Sequence, residues 1–296
     1  MGFIASAITN RIAEAAESYN LYNSLTENNA GLKTLLKISL DMPEVSTPIE
    51  FEAWPEYDDV YLVSGGMDSY IQWNMRGYRG DAVAIFVNYG QPYAQQERDF
   101  VKENFPGAMH HTNLLPHDPK ETNHIIPFRN LYLLSVANQW VKDGGVIHIG
   151  AVAGESGEGG DKSDEFFKQF IEFIYKTEMK RINIFDMKTK TKNDWLRTYL
   201  EVKNDYNVLN TFSCFQPKEG LPCQHCKACL RKCIAMVYAG QEVKAHALYP
   251  DILKNKYMGE YYKAMSDALI KHDFSHYTQQ RARQDTEVLD IIGTWK

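Results

Sequence analysis

The sequence predicts an α/β fold, a parallel sheet with helices on both faces, and three observations lead there. From Val60 onward, short apolar runs of strand length alternate with stretches of helical periodicity. The first of these runs passes directly into Ser64-Gly65-Gly66 and then a helix, the strand, turn and helix order of an open parallel sheet. Four of the five cysteines fall between Cys214 and Cys229, after the last strand signal, where they define a small C-terminal module. Together these give a Rossmann-like parallel sheet with a C-terminal helical zinc-binding module.

In order along the chain, residues 1–57 hold a helical pattern over Ile4 to Leu25 and a polar stretch, an N-terminal helical extension with no catalytic motif. Val60 to Val63 reads as a strand, Asp68 to Arg76 as a helix and Ala82 to Asn88 as a second apolar strand, a βαβ unit. A helix follows over Tyr93 to Asn104, then a weak strand over Ala108 to Thr112, a helix over Arg129 to Val141 and a strand over Val146 to Gly150. Asp164 to Thr177 reads as a helix, Ile182 to Phe185 as a strand and Asn193 to Glu201 as a helix, closing a domain over residues 58–209. The cysteine module spans 210–240, and residues 241–296 carry helical signals without a motif, read as packing and oligomer-contact helices.

The 296 residues include 44% hydrophobic and 24% charged positions, ordinary for a water-soluble protein, and no apolar run approaches a membrane span. A net charge of -6 gives no general attraction to nucleic acid, so a small-molecule substrate is expected, with no direct nucleic-acid partner. Met1 to Ser6 fits the loose N-myristoylation pattern, but no secretory signal is present; a cytoplasmic location and reduced thiols are expected.

Ser64-Gly65-Gly66-Met67-Asp68-Ser69 carries the clearest chemistry. Small residues let backbone approach an anion closely, and the following helix start offers unpaired N–H groups and the positive end of its dipole. Ser64 and Ser69 add hydroxyl groups. Asp68, out of place beside phosphate on its own, suits a magnesium ion bridging a leaving pyrophosphate. The loop lacks the lysine of γ-phosphoryl-transferring loops, so an ATP-using enzyme that cleaves beside the α-phosphate is expected. Tyr89 and Gln91 lie just past the second strand, where a βα loop reaches the crevice, and are expected to shape a nucleotide or base pocket.

Cys214, Cys223, Cys226 and Cys229 are separated by eight, two and two residues, a set that suits one tetrahedral Zn2+. Four thiolates leave no open coordination position, so the ion is structural. Cys233 is read as a core residue and His225 as a reserve ligand.

These features resemble the 7-cyano-7-deazaguanine synthases of queuosine and deazapurine biosynthesis, N-type ATP pyrophosphatases with an adenine nucleotide alpha hydrolase-like fold. The resemblance runs from about Val60 to Ala235. It rests on Ser64 to Ser69, Asn88-Tyr89-Gly90-Gln91 with Glu97, Pro127-Phe128-Arg129-Asn130, and Thr211-Phe212-Ser213-Cys214 leading into the cysteines and Arg231. It implies ATP-dependent conversion of 7-carboxy-7-deazaguanine and ammonia to the nitrile through an adenylated carboxylate and an amide, with ATP, Mg2+ and Zn2+ as cofactors and a homodimer as assembly. It further implies Arg129 as partner of the substrate carboxylate or a phosphate, Lys192 as neutralising phosphate charge, and Asp161 as the match to the family's base-binding aspartate. The Pro, Cys and Arg that surround that aspartate in the family are absent here, where the chain reads Gly160-Asp161-Lys162. Two other readings stay open: a nucleobase thiolase whose cysteines hold an iron–sulfur cluster or carry sulfur, and a nucleotide-binding regulatory or defence protein that keeps the fold.

Overall fold

Five parallel strands in the order β3-β2-β1-β4-β5 form the sheet of a computed structural model that describes residues 55–76, 80–112, 126, 128–155 and 160–295. The strands are β1 (Tyr57–Val63), β2 (Ala82–Asn88), β3 (Met109–Thr112), β4 (Val141–Val152) and β5 (Asn183–Met187). Between them run α1 (Met67–Arg76), α2 (Ala94–Asn104), α3 (Arg129–Asn138) and α4 (Asp164–Glu178). After β5 come α5 (Lys192–Lys203), a 3-10 turn over Tyr206–Asn210, α6 (Lys227–Tyr238), α7 (Glu242–Leu248), α8 (Met258–Lys271) and α9 (Gln279–Ile292). Residues 55–296 form one compact unit. The helical extension expected over 1–57 lies outside the described residues up to position 54, as does Pro127.

Alternation along each strand sorts its side chains to two cores. Tyr61 and Val63 of β1, with Ala82, Ala84 and Phe86 of β2, face α1, α2, α5 and α6. Val60 and Leu62, with Val83, Ile85 and Val87, face α3 and α4. Burial on both faces explains why β2 reads as an unbroken apolar run. The first core continues through Leu230, Cys233, Ile234 and Met236 of α6 to Val288, Leu289 and Ile292 of α9. Residues 210–240 and 241–296 therefore share a core with the sheet.

Several boundaries differ from the sequence reading, most of all the start of β4. The helix expected to reach Val141 ends at Asn138, and Val141, fully buried, opens β4 instead. Tyr57 pairs with Val141 and Asp59 with Val146, so three extra residues bulge out of β4. Gly144 sits at φ +83°, and a Cβ on Gly145 would lie 2.7 Å from Val141 Cγ2 and 2.8 Å from the Asp58 carbonyl. Lys142-Asp143-Gly144-Gly145 looks like a turn in sequence because a strand bulge needs the same residues.

Strand order reverses direction at β1, with β2 on one side and β4 on the other. A crevice opens at the carboxyl ends of the strands at such a point. No helix among the described residues is long and apolar enough to cross a membrane.

Candidate functional site

A cleft of about 520 Å³ lies at that switch point, lined by Ser64, Gly66, Asp68 and Ser69 from the turn after β1 and by residues of every other layer. The turn is held by its own serines. Ser69 Oγ accepts from the Ser64 N–H at 3.1 Å and has the Ser64 and Gly66 carbonyls at 3.0 Å, while Ser64 Oγ accepts from the Gly66 N–H at 3.1 Å. Both hydroxyls thus brace the turn.

Gly65 and Gly66 are not needed for left-handed backbone, since neither has positive φ. They are needed for close approach. A Cβ on Gly65 would meet Glu97 Cα at 3.1 Å and Phe212 Cβ at 3.2 Å, and one on Gly66 would meet Ser64 Oγ at 3.1 Å. The Gly65 carbonyl accepts from the Phe212 N–H at 2.6 Å, fastening the segment before the cysteines to the turn. The Met67 side chain is buried in the first core, leaving its backbone at the start of α1 as its contribution to the site.

Asp68 Oδ2 accepts from Lys192 Nζ at 2.6 Å, joining the first turns of α1 and α5. Its other oxygen, Oδ1, is buried without a hydrogen-bond partner. An orphaned carboxylate oxygen next to an anion-binding helix start is the donor a hard cation such as Mg2+ takes.

Three cations converge on the same end. Glu155, buried against the cleft, accepts from Lys162 Nζ at 2.7 Å and Arg231 Nη1 at 2.8 Å. Burial would raise its carboxyl, but Lys162, Arg231 and Lys192 outweigh that and hold it well below the usual range. Burial would lower the Arg231 guanidinium, and Glu155, Tyr261 and Asp68 around it raise it instead. With Lys192, these residues form a positive end suited to an anion.

Tyr89, Tyr93, Phe212 and Phe215 also line the cleft, together with Arg129. Tyr89 and Tyr93 are both raised by burial, with Arg129 opposing. Arg129 opens α3 directly after Phe128, which sits in left-handed backbone at φ 59°, a strained turn of the kind found where a side chain must be aimed.

Gln91 does not line the cleft. Its Oε1 accepts from the Tyr89 N–H and its Nε2 donates to Glu97 Oε2, both at 2.9 Å, so it fixes neighbours that do. Glu97 is buried beneath the turn, and burial raises its carboxyl to about 7 against the lowering effects of Gln91, Arg129 and the Gly65 N–H. Asp161 is exposed, with its carbonyl accepting from Asn130 Nδ2 at 3.2 Å. Among the described residues of this part of the chain, the carboxylate that lines the cleft is Glu155, which no motif marks.

Cys214, Cys223, Cys226 and Cys229 bring their sulfurs within 4.8 Å of one another. Four sulfurs about 2.3 Å from one tetrahedral ion lie roughly 3.8 Å apart, so the set fits a single Zn2+ rather than a multi-iron cluster. Cys214 also lines the cleft, which ties the metal centre to the Phe212–Phe215 wall. Cys233 is fully buried and its thiol is pushed up to about 12 by burial, as expected of a core residue.

Sequence reasoning missed Lys162, Glu155, Tyr261 and Arg281, all cleft residues. The last two come from α8 and α9, where a tyrosine and an arginine on amphipathic helices give no motif to find them by.

Residues 107–240 match the family model described as queuosine biosynthesis protein QueC. The matched stretch contains Arg129, Glu155, Lys192, the four cysteines and Arg231, and agrees with the resemblance read from the motifs. The turn at 64–69 and helices α7 to α9 lie outside it. No curated protein matches the chain.

Proposed function

With similarity to queuosine biosynthesis protein QueC over residues 107–240 as the premise, we propose that the chain is an ATP-dependent carbon–nitrogen ligase. It converts 7-carboxy-7-deazaguanine and ammonia to 7-cyano-7-deazaguanine through an adenylated carboxylate and an amide. The observation that carries this reading is the Lys192–Asp68 pair at the start of α1, with Asp68 Oδ1 unpartnered, in a cleft that Arg129 and aromatic rings also line.

The start of α1, with its unpaired backbone N–H groups, cradles the departing pyrophosphate. Lys192, Lys162 and Arg231 balance its charge, and Asp68 would hold Mg2+, which supplies further positive charge there when bound. Arg129 pairs its planar fork with the substrate carboxylate, and Tyr89, Tyr93 and Phe212 flank a flat base. A carboxylate oxygen attacks the α-phosphorus of ATP and releases pyrophosphate. Ammonia attacks the resulting acyl carbon, AMP leaves with that oxygen, and an amide remains. A second ATP activates the amide oxygen in the same way, and loss of AMP and protons forms the nitrile.

A nucleobase thiolase needs either a cysteine free to carry sulfur or cysteines set apart widely enough for an iron–sulfur cluster. Among the described residues, four cysteines converge on one another and the fifth, Cys233, is buried with a raised thiol, which favours the ligase. Incubation of zinc-loaded protein with ATP, magnesium, ammonium and 7-carboxy-7-deazaguanine is expected to yield the nitrile and two AMP per nitrile by mass spectrometry. Protein that holds zinc and binds ATP but forms neither amide nor nitrile would overturn the proposal.

A further inference from the structure

The C-terminal helices α8 and α9 lie beyond the family-matched residues, yet they reach the cleft through one buried polar network. We infer that Arg281 is a positioning residue that, with Asp285, sets the two charged arms of the site, the Gly154-Glu155 turn and the Lys192 helix start. The inference rests on reading the cleft as the seat of an anionic nucleotide.

Arg281, in the first turn of α9, is 6% exposed and serves three acceptors. Nη1 donates to the Gly154 carbonyl, Nη2 donates to Tyr261 Oη at 2.5 Å, and Nε donates to Asp285 Oδ2 at 3.2 Å. Gly154 is shaped for this contact. It lies at φ +76°, and a Cβ there would fall 2.9 Å from Arg281 Cδ. The next residue is Glu155, whose carboxylate gathers Lys162 and Arg231. Holding the Gly154 carbonyl therefore holds the backbone from which that charge cluster is built.

Asp285 carries the second arm. Tyr261 donates to Oδ2 at 2.7 Å, while Oδ1 accepts from Asn193 Nδ2 at 2.7 Å. Asn193 is the neighbour of Lys192, the residue paired with Asp68. Thr191, which caps this helix start, donates to Gln284 Oε1 at 2.7 Å. One guanidinium and one carboxylate on α9 thus grip both sides of the anion end, at positions 3% to 6% exposed. A staple that served only to attach α9 would not need its partners to be the backbone carbonyl beside Glu155 and the side-chain amide beside Lys192.

Arg281→Lys keeps the charge but cannot reach three acceptors at fixed geometry. In Arg281→Lys and Asp285→Asn, hydrogen exchange of the amides over 152–155 and of the first turn of α5 is expected to rise at least tenfold, with β1 and β2 amides still protected as in wild type. Affinity for Mg·ATP, measured by calorimetry, is expected to fall at least fivefold. Unchanged exchange at those two segments, exchange raised evenly across the sheet, or unchanged ATP affinity in protein that binds ATP would overturn the assignment. If the local exchange rises while wild type binds no Mg·ATP, the nucleotide reading of the cleft fails and the positioning role stands on exchange.

Discussion

Glu97 is a carboxylate buried beneath the Gly65 turn, and its surroundings make its charge expensive. Burial raises it from an ordinary value of 4.5 to about 7. A group raised on folding adds stability below its unfolded value, and that contribution is lost as pH rises through the folded value. From about pH 4.5 to pH 8, wild type should therefore lose roughly 3 kcal/mol of unfolding free energy that Glu97→Gln does not lose. Denaturant titrations at those two pH values measure it; parallel pH dependence in the two proteins would contradict the raised carboxyl. At this scale the sequence exposes residues with unusual neighbours, such as Asp68 inside a glycine turn. It hides residues such as Glu155, whose partners Lys162 and Arg231 sit 7 and 76 positions away and meet it only in the fold.

Among the elements, the cysteine module is where a bound metal would shape the site without touching the chemistry. Cys226 caps α6 and Cys214 ends the segment whose Phe212 N–H is bonded to Gly65. Losing a ligand loosens the cleft wall as well as the module. Cys226→Ser should bind less than one zinc per chain and melt at least ~10 °C lower, given the several kcal/mol that a structural zinc contributes. Cys233→Ala should keep its zinc, because Cys233 packs in the core outside the sulfur cluster. Equal zinc content and melting in wild type and Cys226→Ser would remove the metal centre from the account. Elements were legible where apolar runs were unbroken, as in β2, whose bounds the sequence placed at Ala82 and Asn88. They were illegible where a bulge imitates a turn, as at Gly144-Gly145. The role of α9 was hidden for another reason: Arg281 and Asp285 look like an ordinary i, i+4 ion pair on a helix until the turn at Gly154 is brought against them.

For the molecule as a whole, the order β3-β2-β1-β4-β5 puts the glycine turn at the reversal of the sheet. Elements from its two faces then bring both cations and aromatic rings to the lining of one cleft. This arrangement suits joining a flat carboxylate substrate to the α-phosphate of ATP as pyrophosphate departs, and it commits the proposed reaction to a particular fate for oxygen. If the carboxylate attacks the α-phosphorus twice in succession, first as acid and then as amide, both carboxylate oxygens leave on AMP. The measurement is therefore to supply 7-carboxy-7-deazaguanine labelled with oxygen-18 in its carboxylate and weigh the products. One label in each of two AMP molecules and none in inorganic phosphate or pyrophosphate is the predicted result. Label in inorganic phosphate, or unlabelled AMP alongside nitrile, would contradict adenylation at this site.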